Sequence, residues 1–375
     1  MRVALVHDYL TQRGGAERVV LSLTRAFPDA PLHTSLYDPA GTFPEFAAVD
    51  VRPLPLNAVA TFRHRHRLAL PLLAPAFSRL EIAADVVVCS SSGWAHGARV
   101  AGRKVVYCHT PARWLYQPDR YLRGRAAPLR LATRGLRRPL LRWDRAAAAS
   151  ADRYLANSAV VATRIRDAYG IEAEVVPPPP AITPDGETEA VHGVEPGFVL
   201  AVSRLLPYKN LDAVVRAFAE LPAERLVLVG RGPLEQELRR LAGANVTVVG
   251  GVSDAELRWL YAASAGLVAA SHEDFGLTPL EAASFGKPAA VLRWGGFLDT
   301  VDEGRTGLFF DRPLTAEVAK AVRALRATPW DAAAVRAHAT RFSERRFMER
   351  LTRIVQDEER LGSPAAPAQP NSDVT

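Results

Sequence analysis

Short apolar segments of strand length alternate with helical segments along most of this 375-residue chain. In the first half the pattern predicts a helix at 17–26 and strands at 3–7, 85–89, 105–108 and 153–156. In the second half it predicts strands separated by helices, at 198–203, 225–229, 246–249, 266–270 and 289–292. Such alternation is typical of parallel sheets that helices cover on both faces. We therefore expect an α/β fold with two doubly wound, Rossmann-like sheets.

Four consecutive prolines, Pro177 to Pro180, interrupt the alternation. Neither a helix interior nor a central strand accommodates such a run, because proline has no amide hydrogen. We predict an interdomain linker there, between domains at 1–180 and 181–343. A last helix is expected at 344–362, and a tail rich in Pro, Ala and Ser at 363–375 is expected to be disordered. Ligands of such sheets bind beyond the carboxyl ends of the strands, so we expect both domains to face a central cleft.

The net charge of +7 is unevenly distributed. Residues 1–150 hold 22 Lys and Arg against 10 Asp and Glu, and the excess is greatest between Arg113 and Arg145, where ten arginines face only Asp119 and Asp144. This distribution favours an anionic partner, either a lipid-phosphate acceptor or an acidic membrane surface. The alternative is a set of solvated helix faces. Nucleic acid is not expected, because stacking aromatic residues do not alternate with the arginines.

Several features indicate a cytoplasmic protein. The longest apolar runs are too short to span a bilayer, and the first residues enter a strand without a signal-peptide pattern. The only cysteines, Cys89 and Cys108, do not have the spacing of a metal site. We expect a reduced compartment, with peripheral attachment to the inner face of the cell membrane left open.

Two cations follow the first predicted strand of the second domain. Arg204 and Lys209 stand at the carboxyl edge of the sheet, close to a helix that Asn210 is predicted to cap. A helix N-terminus carries partial positive charge, so the two cations predict a diphosphate site. The alternative is a pair of unrelated surface cations. Gly230-Arg231-Gly232 lacks the third glycine of a dinucleotide fingerprint, which favours a plain strand-to-helix turn.

Two carboxylates, Glu273 and Glu281, enclose a turn and a helix start. Glu273 follows an apolar strand, where a carboxylate suits the hydroxyl groups of a sugar or ribose. The amides of Phe275, Gly276 and Leu277 suit an anionic oxygen at the helix end. Glu281 has an alternative structural role, because Thr278-Pro279-Leu280-Glu281 has the pattern of a capping box.

The first domain contributes two weaker signals. Gly14-Gly15 follows the first strand and lets the backbone approach a phosphate or sugar, although turns need glycine in any case. His109 ends a strand and is expected to point into the cleft, although a lone histidine is often structural.

Taken together, these residues resemble family-4 retaining glycosyltransferases of the two-domain GT-B fold, with the closest likeness to bacterial mannosyltransferases of polysaccharide assembly. The resemblance extends over nearly the whole chain and rests on six segments, namely His7 to Leu10, Gly14 to Arg18, Tyr107 to Pro111, Val202 to Lys209, Gly230 to Pro233 and Glu273 to Glu281.

The resemblance implies a role for each site residue. Arg204 and Lys209 would bind the donor diphosphate, Glu273 the transferred sugar and Glu281 the ribose. His109 would hydrogen-bond the sugar from across the cleft, and Gly15 would line the phosphate or acceptor side. The last helix would cross back onto the first domain.

The chain departs from the family pattern at three places. Arg231 replaces an acidic residue, Asp299 stands where a glutamate is usual, and the hinge is a run of prolines. The first two leave the base and sugar of the donor open. No Asp-x-Asp motif ends a strand, so we predict catalysis without a metal or other cofactor.

The predicted function is transfer of a hexose, foremost mannose from GDP-mannose, to a saccharide or lipid-linked acceptor of cell-surface polysaccharide or glycolipid synthesis. The alternatives are another donor such as UDP-glucose or UDP-GlcNAc, an epimerase or phosphorylase of the same architecture, and a non-catalytic protein that binds nucleotide sugars.

Overall fold

The computed structural model describes residues 1–117 and 127–362. Their contacts divide into two compact units. The first comprises the described residues of Met1–Leu155, Ile165–Ala173 and Met348–Thr375, and the second comprises Ala156–Arg164 and Glu174–Phe347. The proline run that was predicted as the linker lies within the second unit. Asp119 and the predicted tail at 363–375 lie outside the described residues.

The first sheet is built from short, buried strands. Its strands are β1 (Val3–His7), β2 (Leu32–Thr34), β3 (Val51–Pro53), β5 (Val86–Ser91), β7 (Arg103–Cys108), β8 (Arg153–Ala156) and β9 (Glu174–Val175). Two further strands, β4 (Glu81–Ile82) and β6 (Arg99–Val100), pair with each other. The order in the sheet is β3-β2-β1-β5-β7-β8-β9, and β1 pairs in parallel with both β2 and β5. The order reverses between β1 and β5.

Six helices occur in the first half of the described chain. They are α1 (Gly15–Ala26), α2 (Ala60–His64), α3 (Leu70–Ser78), α4 (Arg113–Tyr116), α5 (Ala127–Ala149) and α6 (Ala159–Tyr169). Helix α1 buries Val19, Val20 and Leu23 on one face, which is the spacing of an amphipathic helix that packs on a sheet.

The second sheet is wholly parallel. Its strands are β10 (Val199–Val202), β11 (Leu226–Val229), β12 (Val246–Val249), β13 (Gly266–Ala269), β14 (Ala289–Leu292) and β15 (Gly307–Phe310). The order β12-β11-β10-β13-β14-β15 is that of a dinucleotide-binding sheet. All four residues of β11 and of β14 are buried, as expected of strands that helices cover on both faces.

Eight helices accompany the second sheet or follow it. They are α7 (Leu211–Ala217), α8 (Glu235–Leu241), α9 (Asp254–Ala263), α10 (Leu277–Ser284), α11 (Phe297–Thr300), α12 (Thr315–Ala327), α13 (Ala332–Thr340) and α14 (Glu344–Gly362). No helix in the described part of the chain combines the length and apolar character needed to cross a membrane.

Helix α14 is anchored in the first unit from Met348 onward. Glu358, which is buried, accepts two hydrogen bonds from the Arg103 guanidinium at 3.0 and 2.7 Å and lies 3.6 Å from Arg153. From Met348 onward the last helix therefore belongs to the first unit by its contacts.

Candidate functional site

The second sheet reverses its strand order between β10 and β13. Such a switch point leaves a crevice beyond the carboxyl ends of two strands, and ligands of open α/β sheets bind there. Arg204 and Lys209 follow β10, whereas Ser271 and Glu273 follow β13. The topology therefore brings the predicted cations and the predicted sugar-binding carboxylate to one edge.

Lys209 and Glu273 form an ion pair at this edge. The Lys209 ammonium donates to Glu273 Oε1, which also accepts the Ser271 hydroxyl at 2.7 Å. The Lys209 side chain is 9% exposed and that of Glu273 is 25% exposed, so a ligand reaches the carboxylate more readily. Arg204 is exposed, and its guanidinium lies 3.3 Å from the hydroxyl of Tyr208, whose ring lies 5.0 Å from Lys209 Nζ.

The turn from Glu273 to Gly276 is held by close backbone packing. Gly276 has a φ of 85° at the N-cap of α10, and a methyl group there would lie 2.5 Å from the Phe297 ring. The Gly296 amide donates to the Glu273 carbonyl at 3.1 Å. A methyl group on Gly296 would collide with the backbone of Phe275. The two glycines of the Gly295-Gly296 loop thus support the turn, a role that we did not infer from sequence.

The predicted capping box is wrong. Helix α10 begins at Leu277 with Gly276 as its N-cap, so Thr278 already lies inside the first turn. Glu281 is buried, and its carboxylate accepts the Tyr261 hydroxyl at 2.5 Å and the Ala181 amide at 3.3 Å. Glu281 is thus oriented by a side chain of α9 and by the backbone that follows the proline run.

Asn210 occupies the predicted N-cap position of α7 but does not cap the helix with its side chain. It has a φ of 52°, and its side-chain amide donates to the Ala270 carbonyl at 2.7 Å. Asn210 therefore joins the segment after β10 to the segment after β13, instead of satisfying the helix amides.

The Gly230-Arg231-Gly232 turn is a tight strand-to-helix turn, as predicted. Gly230 has a φ of 152°, and a methyl group on it would collide with the Ser203 carbonyl. The Leu205 amide donates to the Arg231 carbonyl at 3.0 Å. The turn supports the backbone that carries Arg204.

Long-range contacts add residues that we did not predict. Arg164 donates to Asp274 at 2.5 Å, and the Ala159 amide donates to Asp299 at 2.8 Å. Burial raises the pKa of Asp299, although the hydrogen bond from Ala159 acts in the opposite direction. These pairs are 110 and 140 positions apart in sequence, and no local pattern marks them.

In the first unit, His109 belongs to a buried hydrogen-bonded cluster at the switch point between β1 and β5. His109 Nε2 lies 2.8 Å from Ser90 Oγ, which lies 3.1 Å from His7 Nδ1. His7 Nε2 lies 4.0 Å from Glu17 Oε1, on the first turn of α1. Gly15, the other predicted residue of this unit, is exposed and begins α1.

The two histidines have opposite pKa shifts. Burial and the charge of His7 lower the pKa of His109 to about 3. Burial acts on His7 in the same direction, but Glu17 and Asp8 outweigh it and raise the pKa of His7 above its usual value. His109 is therefore neutral near pH 7, whereas Glu17 and Asp8 make protonation of His7 easier than usual.

The described residues contain no cluster of three His, Cys, Asp or Glu side chains that could hold a metal ion. Metal-independent catalysis remains a prediction.

Two family models match successive parts of the chain. The model described as Glycosyltransferase Family 4 matches residues 13–180, and that described as Glycosyl transferases group 1 matches residues 187–342.

Curated relatives include the D-inositol 3-phosphate glycosyltransferase of Acidothermus cellulolyticus, which is 32% identical over 56% of this chain and 54% of its own length. The human alpha-1,3/1,6-mannosyltransferase ALG2 is 27% identical over 91% of this chain and 92% of its own. A GDP-mannose-dependent alpha-(1-6)-phosphatidylinositol monomannoside mannosyltransferase of Mycolicibacterium smegmatis is 30% identical over 46% of this chain and 52% of its own. The chain thus spans about half the length of two of these three relatives.

Solved structures share the fold at low identity. HepE of Anabaena in complex with UDP-glucose has a TM-score of 0.70 at 20% identity, covering 95% of this chain and all of that one. WaaG, a glycosyltransferase involved in lipopolysaccharide biosynthesis, has a TM-score of 0.65 at 18% identity, covering 94% of this chain and 99% of that one. With both halves matched by glycosyltransferase models and the fold shared with these structures, the chain belongs to glycosyltransferase family 4 and has the GT-B fold.

Proposed function

We propose that the protein transfers a hexose from a nucleotide-sugar donor to a saccharide or lipid-linked acceptor. The observation that supports this most directly is the Lys209–Glu273 pair at the switch point of the second sheet. A donor presents a diphosphate and a polyhydroxyl ring side by side, and the pair offers a cation for the first and a carboxylate for the second. Arg204, exposed on the same segment as Lys209, adds a second cation for the diphosphate.

The chemistry follows from where charge develops. When the bond between the sugar and the diphosphate breaks, negative charge accumulates on the departing phosphate oxygens. In this proposal, Lys209, Arg204 and the amides at the start of α10 would stabilise that charge without a metal ion. Glu273 stays bound to the ring hydroxyls, and Glu281, held by Tyr261, is the carboxylate assigned to the ribose.

Mannose from GDP-mannose is the proposed donor. Two relatives bear the names of mannosyltransferases, one of them GDP-mannose-dependent, and the one named for alpha-1,3/1,6 transfer aligns over 91% of this chain. The test is turnover with a panel of GDP and UDP sugars in EDTA, followed by mass detection. We expect GDP-mannose to give the highest kcat/KM. A complete lack of binding and turnover with every donor would refute the proposal.

The same panel separates the rival activities. HepE was solved with UDP-glucose, and a preference for UDP-glucose or UDP-GlcNAc here would change the donor but keep the reaction. Product formation that requires inorganic phosphate would indicate a phosphorylase, and isomerised donor without an acceptor would indicate an epimerase. Binding without any turnover would indicate a non-catalytic protein.

An anionic membrane is the proposed surface for a lipid-linked acceptor. Helices α3 and α5 enclose a groove of about 510 Å³, with Pro75, Leu140 and Trp143 among its lining residues and Arg79 and Arg99 also lining it. Trp143 Nε1 donates to Ser78 Oγ at 2.7 Å, which holds the two helices together. Leu72 and Leu136, on the same helices, are 42% and 47% exposed. Apolar side chains beside arginines match an acyl layer beneath phosphate headgroups.

Vesicle flotation tests this contact. The protein should bind phosphatidylserine vesicles and lose affinity as salt rises, because electrostatic attraction is screened. Leu72→Asp with Leu136→Asp should weaken binding several-fold, whereas Leu314→Asp, a similarly exposed leucine of the second unit, should not. Equal binding to neutral vesicles, or unchanged vesicle binding by the double variant, would refute the membrane role.

A further inference from the structure

We propose that Glu17, His7 and Ser90 are positioning residues that keep His109 neutral, with its ring proton on Nδ1. The inference rests on the proposed hexose transfer in one respect, the expectation that a sugar hydroxyl contacts His109. The proton arrangement itself follows from contacts within the first unit.

The first step concerns His7. Its Nδ1 lies 3.1 Å from the Ser90 carbonyl oxygen, and its Nε2 faces a carboxylate oxygen of Glu17. Both oxygens only accept hydrogen bonds. A neutral imidazole would turn a lone pair toward one of them, so the surroundings favour the imidazolium form, which has a proton on each nitrogen.

The second step concerns Ser90. Its hydroxyl oxygen lies 3.1 Å from His7 Nδ1 and 2.8 Å from His109 Nε2. Because His7 Nδ1 carries a proton, Ser90 Oγ accepts on that side and its own hydrogen is available to His109. His109 Nε2 is therefore the acceptor, and its proton lies on Nδ1. A sugar hydroxyl that meets His109 through its other ring nitrogen meets a hydrogen-bond donor.

The third step is the burial of Glu17. The residue is 1% exposed, its Oε1 accepts Gln12 Nε2 at 3.0 Å, and its Oε2 has no hydrogen-bond partner among the described residues. A buried carboxylate with an unsatisfied oxygen costs free energy of folding. A positive charge on His7 offsets part of that cost. Glu17 is therefore assigned the role of stabilising the charged form of His7.

Two anions act on His7, and Glu17 is the one that faces its Nε2. Asp8 also faces His7, but its carboxylate accepts the amides of Ser92, Trp94 and Ala95 at 2.7, 3.2 and 2.7 Å. The Tyr107 ring lies 5.3 Å from the His109 ring, and burial raises the pKa of Tyr107 well above its usual value, so it adds no charge. His96, the other histidine near Asp8, interacts with Asp144 at 3.1 Å.

The direct test is nuclear magnetic resonance of the full-length protein labelled with ¹⁵N-histidine. In the wild type, His109 should show the shifts of a neutral ring protonated at Nδ1, and His7 those of an imidazolium. Glu17→Gln should lower the pKa of His7 and raise the pKa of His109, because the repelling charge on His7 is reduced. Ser90→Ala should allow the other His109 tautomer to appear. A wild-type His109 protonated at Nε2 would overturn the proposal.

The kinetic test uses the same variants with the preferred donor. We expect Glu17→Gln and Ser90→Ala each to lower kcat about tenfold or more, since a wrongly protonated histidine is costly to catalysis, with a smaller change in the donor KM. The acid limb of the pH–rate profile should move to higher pH in Glu17→Gln. The double variant should be less impaired than the product of the single effects, because both act through one chain of contacts.

Controls separate this inference from folding and from the proposed function. Glu81→Gln, an exposed carboxylate of the same unit, should leave spectra and rates unchanged. Thermal melts identify variants that fail to fold, and the tautomer of wild-type His109 decides the matter without any variant. If no donor is turned over, the proposed function fails while the spectra still test the proton arrangement. Normal rates and unchanged histidine chemical shifts in both Glu17→Gln and Ser90→Ala would refute the proposed positioning of His109.

Discussion

Lys209 and Glu273 neutralise each other, and the Ser271 hydroxyl donates to the same carboxylate oxygen of Glu273. In the proposed complex, a diphosphate binds the Lys209 ammonium and a sugar hydroxyl binds the Glu273 carboxylate. The ion pair between the two side chains is then replaced by contacts with the donor. We predict that Lys209→Ala and Glu273→Gln each lower kcat about 10²- to 10³-fold, the usual effect of removing one donor to developing charge. Steady-state kinetics with the preferred donor measure this. Lys320→Ala, an exposed lysine on α12, is the matched control, and near-normal rates for both site variants would contradict the assignment.

His109 gives a pH prediction whose sign follows from its lowered pKa of about 3. Between pH 6.5 and 3, His109 is protonated in the unfolded state but not in the folded state. The free energy of unfolding therefore falls as the pH falls. His7 does not contribute there, because its raised pKa leaves it protonated in both states below 6.5. The free energy of unfolding should therefore fall less steeply on acidification in His109→Gln, by about 1.4 kcal/mol per pH unit. Urea unfolding at several pH values measures this slope. An unchanged slope would show that His109 is readily protonated in the folded protein.

Single residues show what a sequence can and cannot predict. Glu273 and Lys209 were predicted because each follows an apolar strand, and the ends of parallel strands meet at one edge. Glu281 was predicted as a site residue, but its contact with Tyr261 was not, since twenty positions separate them and no helical or strand period connects them. The hydrogen bond from Asn210 to Ala270 was missed for the same reason.

The loop at Gly295-Gly296 gives a test at the level of whole turns and helices. We predict that Gly296→Ala destabilises the protein by more than about 1 kcal/mol, because the added methyl group forces the Phe275 backbone to move. Activity should fall further than stability, since Glu273 stands on the displaced turn. Gly135→Ala is the control: nothing lies within 4 Å of its new methyl group, and alanine in a helix is favoured by roughly 0.5–1 kcal/mol. Denaturant unfolding and kinetics on both variants decide this.

Several short, mainly buried strands were predicted accurately. Strands β1, β8, β12 and β14 have the predicted bounds. The three-residue strands β2 and β3 were missed because so few residues show no period. Helix α13, Ala332–Thr340, was missed because its alanine-rich sequence does not show which face is buried.

The strand order of each sheet was beyond sequence reasoning, since it depends on which strands pair across the whole unit. Alternating strands and helices predicted doubly wound sheets, and the structure adds that both orders reverse next to the first strand of each sheet. Those reversals place His7 and Ser90 together in one unit and Lys209 and Glu273 together in the other. The topology therefore explains how residues far apart in sequence form each cluster.

Glu358 tests how strongly the end of the chain is bound to its beginning. Removing its charge leaves Arg103 and Arg153 without a buried partner that both contact. We predict that Glu358→Gln costs about 3 kcal/mol of unfolding free energy, as for other broken buried pairs. Asp357→Asn, which disrupts only an exposed pair with Arg360, should cost under about 0.5 kcal/mol. Denaturant midpoints compare the two, and equal effects would show that Glu358 does not anchor α14.

The placement of α14 has a consequence for synthesis on the ribosome. The first unit contains both the first 155 residues and the stretch from Met348 onward, so its contacts are incomplete until translation has passed Met348. The second unit, which ends at Phe347, has all its residues earlier. Synthesis of the first unit thus begins before that of the second unit and is completed after it. Until then, the growing chain carries a basic amino-terminal half that lacks part of its contacts.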